Sequence, residues 1–119
     1  MILLLDAHAI LWAVSEPGSL AMDAQSAIES PANDVVVSAG TIWELEIKQA
    51  LGKIKIENDL LEELERVGFD MLAITAADAT SAARLPLHHR DPFDRMLIAQ
   101  ARRLGAVVEI GRASCRERV

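Results

Sequence analysis

At 119 residues, 51% of them hydrophobic, the chain has the size of one domain with a real core and no room for a second. Its formal charge of −6 excludes a protein that grips nucleic acid through overall positive potential, so any such binding has to be local. No cysteine precedes Cys115, which excludes a disulfide framework and a thiolate zinc site and suits a reducing cytoplasm.

The chain opens on four apolar residues, Ile2, Leu3, Leu4 and Leu5. The run is too short for a signal-peptide core or a membrane span and reads as a strand covered on both faces. A helix is expected from Asp6 onward. A turn follows at 16–19, where Ser19 is placed to cap a helix over 20–29. Val35, Val36 and Val37 form a second unalternating, β-branched run, hence a second buried strand. The helix after it puts Trp43, Ile47 and Leu51 on one face, expected to be its core face, and stops at Gly52. Asp59 and Glu62 have capping-box spacing ahead of a helix that ends at Gly68. A third strand is expected over 69–74 and an alanine-rich helix over 75–85, closed by Pro86. Asp91-Pro92 is a helix entry with proline at the first helical position, and 106–108 reads as a fourth strand. Strands alternating with helices predict an α/β domain, a parallel sheet in layers with right-handed crossovers.

Three acids, Asp6, Glu44 and Asp94, each fall where an apolar run meets a helix. Helices that begin at the carboxyl edge of a parallel sheet bring their first turns to one rim, where ligands gather in such sheets. Carboxylates converging there would repel one another, and a divalent cation relieves that repulsion. All-oxygen ligation favours Mg²⁺, with Mn²⁺ as an alternative, over zinc. Such a site suits phosphodiester hydrolysis.

Other residues are weighed against duller roles. Asp91 competes with Asp94 but is well placed as the helix cap. Ser38 and Thr41 could touch a phosphate or orient a carboxylate, and are equally ordinary caps. His8 could reach a phosphate, although a histidine beside a strand end is more often simply hydrogen-bonded. Trp12 and Trp43 are expected in the core rather than as base-stacking platforms. Lys48, Arg90 and Arg95, with Lys53, Lys55, His88 and His89, are candidates for a local basic rim, or else a solvated face.

Residues 109–119 lack apolar periodicity and resemble a translated sequencing-library adapter. They are expected to be a non-native tail that interrupts the last strand region, leaving 1–108 as the domain.

The segments Leu3 to Trp12, Val37 to Lys48 and His89 to Ala101 resemble, in order and spacing, the PIN-domain ribonucleases of the VapC toxin type. The resemblance covers residues 1–108 and is most specific in the third segment. It implies a PIN-like three-layer α/β/α fold, a Mg²⁺ or Mn²⁺ site at Asp6, Glu44 and Asp94, and endonucleolytic cleavage of RNA, commonly tRNA or rRNA. It also implies a homodimer and a cognate VapB-type antitoxin whose basic side chain plugs the acidic crevice. Two departures stand out. Ala7 replaces the usual Thr, and the segment that supplies a fourth polar group is replaced by the tail. A weakened metal site and an unpaired sheet edge are the expected consequences.

Two other classes compete. An aspartyl-phosphate phosphatase wants an Asp where His8 stands. A non-catalytic acidic binding module, or an inactive fragment, would use the same acids only as helix caps.

Overall fold

The computed structural model describes residues 1–15, 22–86 and 91–109, together with the backbone of 116–118. The turn at 16–19, His88, His89, Arg90 and Cys115 lie outside the described residues.

The four expected runs become β1 (Ile2–Leu5), β2 (Asp34–Ser38), β3 (Asp70–Leu72) and β4 (Val107–Glu109), and a fifth strand not expected from the sequence, β5 (Arg116–Arg118), forms within 109–119. Between them run α1 (Ala7–Ser15), α2 (Met22–Glu29), α3 (Ala39–Ala50), α4 (Leu60–Val67), α5 (Ala76–Ala83) and α6 (Pro92–Leu104). The sheet order is β3-β2-β1-β4-β5. The first four strands are mutually parallel, and β5 pairs antiparallel with β4. The expected α/β fold with a central parallel sheet and flanking helices is what forms.

Successive residues of the central strand point to opposite faces, so a strand sandwiched between helix layers must be apolar throughout. Leu3 and Leu5 join Ala9, Ile10, Val37, Leu60 and Leu64 in one core cluster. Leu4 joins Val108, Leu97 and Ala101 in a second cluster on the other face. The two clusters explain why 2–5 shows no alternation.

The helix ends follow local chemistry. Asp59 accepts from Glu62 N and starts α4, which Gly68 closes in the left-handed conformation (φ 86°). Asp91 starts α6 with proline in its first turn, and Gly105 (φ 65°) stops it. Neither glycine could become a β-carbon residue without strain.

Three expectations need correction. Trp43 and Leu51 are not core: they are 63% and 65% exposed, while Gly40, Thr41 and Leu45 form the buried stripe of α3. The helical period holds but its phase does not, because small residues let this side of α3 approach its neighbours. A β-carbon on Gly40 would come within 3.1 Å of Ile74 Cδ1 and 3.6 Å of Met96 Cγ of α6. The third strand is three residues long rather than six, as befits an edge strand with Met71 exposed. The edge of β4 is not unpaired, since the backbone of 116–118 hydrogen-bonds along it. Strand pairing uses main-chain groups and is indifferent to the origin of the side chains.

Candidate active site

Asp6 sits where β1 ends and α1 begins. Its backbone N–H donates to Glu109 O of β4 (3.0 Å), and its own carbonyl accepts the first helical bond from Ile10 N (3.1 Å). Its side chain caps the helix, with Oδ1 accepting from Ala9 N at 2.9 Å. The duller role is therefore real. It occupies one carboxylate oxygen and leaves Oδ2 facing His8, whose Nδ1 lies 3.6 Å away. That is ion-pair distance once the ring is protonated, and long for a hydrogen bond.

The Asp6 side chain is only 16% exposed. Burial raises its pKa above the ordinary carboxylate value; the Ala9 hydrogen bond and His8 pull it back, and the negative charge of Glu44 pushes it up again. The Glu44 contribution places the two acids within electrostatic reach although they belong to α1 and α3, which pack together. A nearby negative charge disfavours the Asp6 anion, in the same direction as its burial.

Glu44 lies just over one turn into α3. Its side chain is 12% exposed, and Oε2 accepts from Lys48 Nζ at 2.9 Å, an i,i+4 pair along the helix. Lys48 thus places a positive charge beside an acid of the candidate site while remaining half-exposed.

At the start of α6, Asp91 takes the capping role: its Oδ1 accepts from Phe93 N (2.8 Å) and Asp94 N (3.1 Å). Asp94 lies exposed on the first turn, where the helix N-terminus favours a negative charge. Ser38 is buried and caps α3 by accepting from Gly40 N at 3.1 Å. Thr41 is buried one turn further on.

Arg95 is a structural cation. Its Nε donates to Ala82 O (2.9 Å), Nη2 to Ala83 O and Leu85 O (3.0 and 2.7 Å), and Nη1 to Pro86 O (3.1 Å). It satisfies carbonyls that the end of α5 leaves open and ties α6 to that turn. Of the cations named for a basic rim, Lys48 pairs with Glu44 while remaining half-exposed, Arg95 bonds backbone carbonyls, Lys53 and Lys55 are exposed, and His88, His89 and Arg90 lie outside the described residues.

The donor set fits a hard divalent cation in part. Mg²⁺ commonly keeps several waters and takes one or two carboxylates, which the Asp6 and Glu44 pair could supply. Among the described residues, no group of three or more His, Cys, Asp or Glu side chains is arranged to hold a metal ion.

Sequence reasoning missed two features. Phe93 meets Trp43 edge-to-face, with ring centroids 5.6 Å apart. Asp78, 2% exposed, is clamped by Arg103 Nε and Nη2 (2.6 and 3.0 Å), Gln100 Nε2 (3.2 Å) and Thr75 N (3.1 Å). The Thr75-x-x-Asp78 capping box was a local signal for half of that cluster. Arg103, 25 positions on, had none.

PIN domains are generally metal-dependent nucleases, and the family model for the PIN domain matches residues 3–108. No curated protein matches the chain. A half-buried acid pair at the carboxyl edge of a parallel sheet, with a third acid on the first turn of α6, accords with that match: the chain belongs to the PIN domain family.

Proposed function

We propose that the chain is a Mg²⁺- or Mn²⁺-dependent endoribonuclease of the VapC toxin type, acting on structured RNA such as tRNA or rRNA in the cytoplasm. The observation that carries this reading is Asp6: a carboxylate that burial and Glu44 both push toward protonation, at the sheet edge. Asp6 and Glu44 would hold the cation, and Asp94 would complete the site from α6. When bound, the cation supplies polarisation of a phosphoryl oxygen and a more acidic water. The Ala9 N–H bond fixes the Asp6 carboxylate, Lys48 holds Glu44 in place, and Asp91 and Arg95 position the turn that carries Asp94. The toxin assignment, a VapB-type antitoxin as partner and a homodimer rest on the resemblance of the three segments.

Residues 109–119 belong to this proposal as a non-native tail. The end of the family match at 108 supports that reading.

The test is cleavage of purified tRNA and rRNA with Mg²⁺, Mn²⁺ or EDTA by the chain and by Asp6→Asn, Glu44→Gln and Asp94→Asn. Metal-dependent cutting that all three variants lose is expected. Cutting that persists in EDTA, or in Asp6→Asn, overturns the assignment. A second reading, the non-catalytic binding module, is favoured by the capping roles of Asp6 and Asp91. It requires no cleavage under any condition and partner affinity unchanged in the Asn variants.

A further inference from the structure

The chain has 2 Trp, 2 Phe and no Tyr, and one of each forms a pair at the surface. Trp43 is 63% exposed and meets Phe93 with an interplanar angle of 73°. Trp43 immediately precedes Glu44 and Phe93 immediately precedes Asp94, so the pair bridges α3 and α6 beside the acids of the candidate site. An edge-to-face contact covers at most one side of the indole, so a flat π-surface still meets solvent. A single exposed apolar side chain needs no explanation. An exposed tryptophan packed on a half-buried phenylalanine in so aromatic-poor a chain, linking two acid-bearing helices, asks for one.

Charge points to the occupant. With a net charge of −6 the chain draws phosphates only weakly through its overall potential, and among the described residues Lys48 and Arg95 near the pair already bond Glu44 and backbone carbonyls. Stacking is the recognition mode that does not depend on net charge, and it needs a base that is out of its helix. Resting on the nuclease reading, we propose that Trp43, braced by Phe93, is a substrate-positioning platform on which an unpaired nucleobase stacks, selecting single-stranded or looped RNA over duplex.

The test reads binding without metal. In a Trp12→Phe background Trp43 is the sole tryptophan, and its emission is titrated in EDTA with a 2′-O-methyl RNA hexamer and with a blunt duplex of the same sequence. Saturable quenching by the single strand, and far weaker quenching by duplex, is expected. If Trp12→Phe impairs folding, the difference between the unaltered chain and Trp43→Phe gives the same signal. By anisotropy of a labelled strand, Trp43→Ala should bind about five-fold to a hundred-fold more weakly, with Trp43→Phe retaining most of the affinity. With Mg²⁺, Trp43→Ala should raise KM and leave kcat within about two-fold, since stacking holds ground and transition states alike. Equal quenching by duplex, no quenching, or an emission change that follows protein concentration without RNA overturns the proposal; the last outcome assigns the face to a second copy of the chain. Quenching without any cleavage refutes the nuclease reading instead, and cleavage without quenching refutes only the platform.

Discussion

Asp6 has two duties that a pair of substitutions can separate. As a cap it needs an oxygen to accept the Ala9 N–H (2.9 Å). As a ligand it needs a charge, which burial and the neighbouring Glu44 disfavour. Asn keeps the cap and removes the charge; Ala removes both. A lost N-cap costs about 1 kcal/mol, and for a domain of this size about 1 kcal/mol shifts Tm by about 4 °C. Asp6→Ala should therefore melt about 4 °C below the parent. Asp6→Asn should melt at or slightly above it, with relief of the buried charge set against about 0.5 kcal/mol of lost helix-dipole interaction. The sign follows from linkage. A folded-state pKa raised above the unfolded one stabilises fully below the unfolded value of 3.8, and that stabilisation is lost as pH rises through the folded value. At neutral pH the ionised Asp6 is consequently a liability in the metal-free protein, and both variants should lose cleavage. Mg²⁺ at a hundred times its Kd should raise the parent's stability by about 2.7 kcal/mol, or about 11 °C, and leave Asp6→Asn unmoved. Calorimetry with and without Mg²⁺ measures all of this. If Asp6→Asn is as destabilised as Asp6→Ala, or gains as much from Mg²⁺ as the parent, the reasoning is refuted.

Asp78→Asn should cost about 2–4 kcal/mol in urea unfolding at pH 7, because an amide nitrogen would then face a shell of donors. Arg103 holds the Asp78 carboxyl well below the usual carboxylate range, so that stabilisation is complete above about pH 4 and fades as pH falls further. The parent and variant should converge below pH 3.8, and a gap that stays constant into strong acid would contradict the assignment. Lys48→Met should change stability by less than about 0.5 kcal/mol, as for other half-exposed i,i+4 pairs. The same variant should lower the Mg²⁺ concentration needed for half-maximal thermal stabilisation, because Glu44 no longer has a resident cation; a higher requirement would show Lys48 assisting the metal instead. Arg95→Ala should lose about 2 kcal/mol and reduce cleavage through kcat without altering RNA affinity, whereas a selective loss of affinity would restore Arg95 to the nucleic-acid surface.

The layers of this fold were readable because their signals are local. Runs such as 2–5 and 35–37 lack alternation since both sheet faces are covered, and Asp91-Pro92 and Gly105 punctuate α6 by their own backbone preferences. What escaped depended on partners distant in sequence. The face of α3 was assigned by the largest side chains, Trp43, Ile47 and Leu51. Packing instead favours Gly40 and Thr41, whose small volume lets α3 approach Ile74 and Met96. Of the candidate site, the positions of Asp6 after β1 and of Glu44 on the helix after the adjacent parallel strand β2 were local, and Glu44 bears electrostatically on Asp6. That Arg95 bonds the carbonyls closing α5 was not legible locally, because its partners are set by tertiary contacts that composition does not encode, whereas the Lys48–Glu44 pair is a local i,i+4 contact.

These commitments also bear on which acid of α6 serves chemistry. Asp91 and Asp94 are three residues apart, and either could be drawn toward Asp6 on sequence grounds. Asp91 precedes the first helical residue, so its oxygen is within reach of two backbone N–H groups that have no helical acceptor, and it bonds both. Moving that oxygen onto a metal would leave those donors unsatisfied at a helix start. Asp94 is already inside the first turn, where a negative charge favours the helix and a cation ligand would keep that charge. Recruiting Asp91 would cost the helix its cap, a loss that recruiting Asp94 does not carry. Arg95, the next residue, fixes the backbone from which Asp94 projects by binding four carbonyls of the preceding segment. The segment Asp91-Pro92-Phe93-Asp94-Arg95 therefore divides its labour by position: cap, helix start, aromatic brace, acid and anchor.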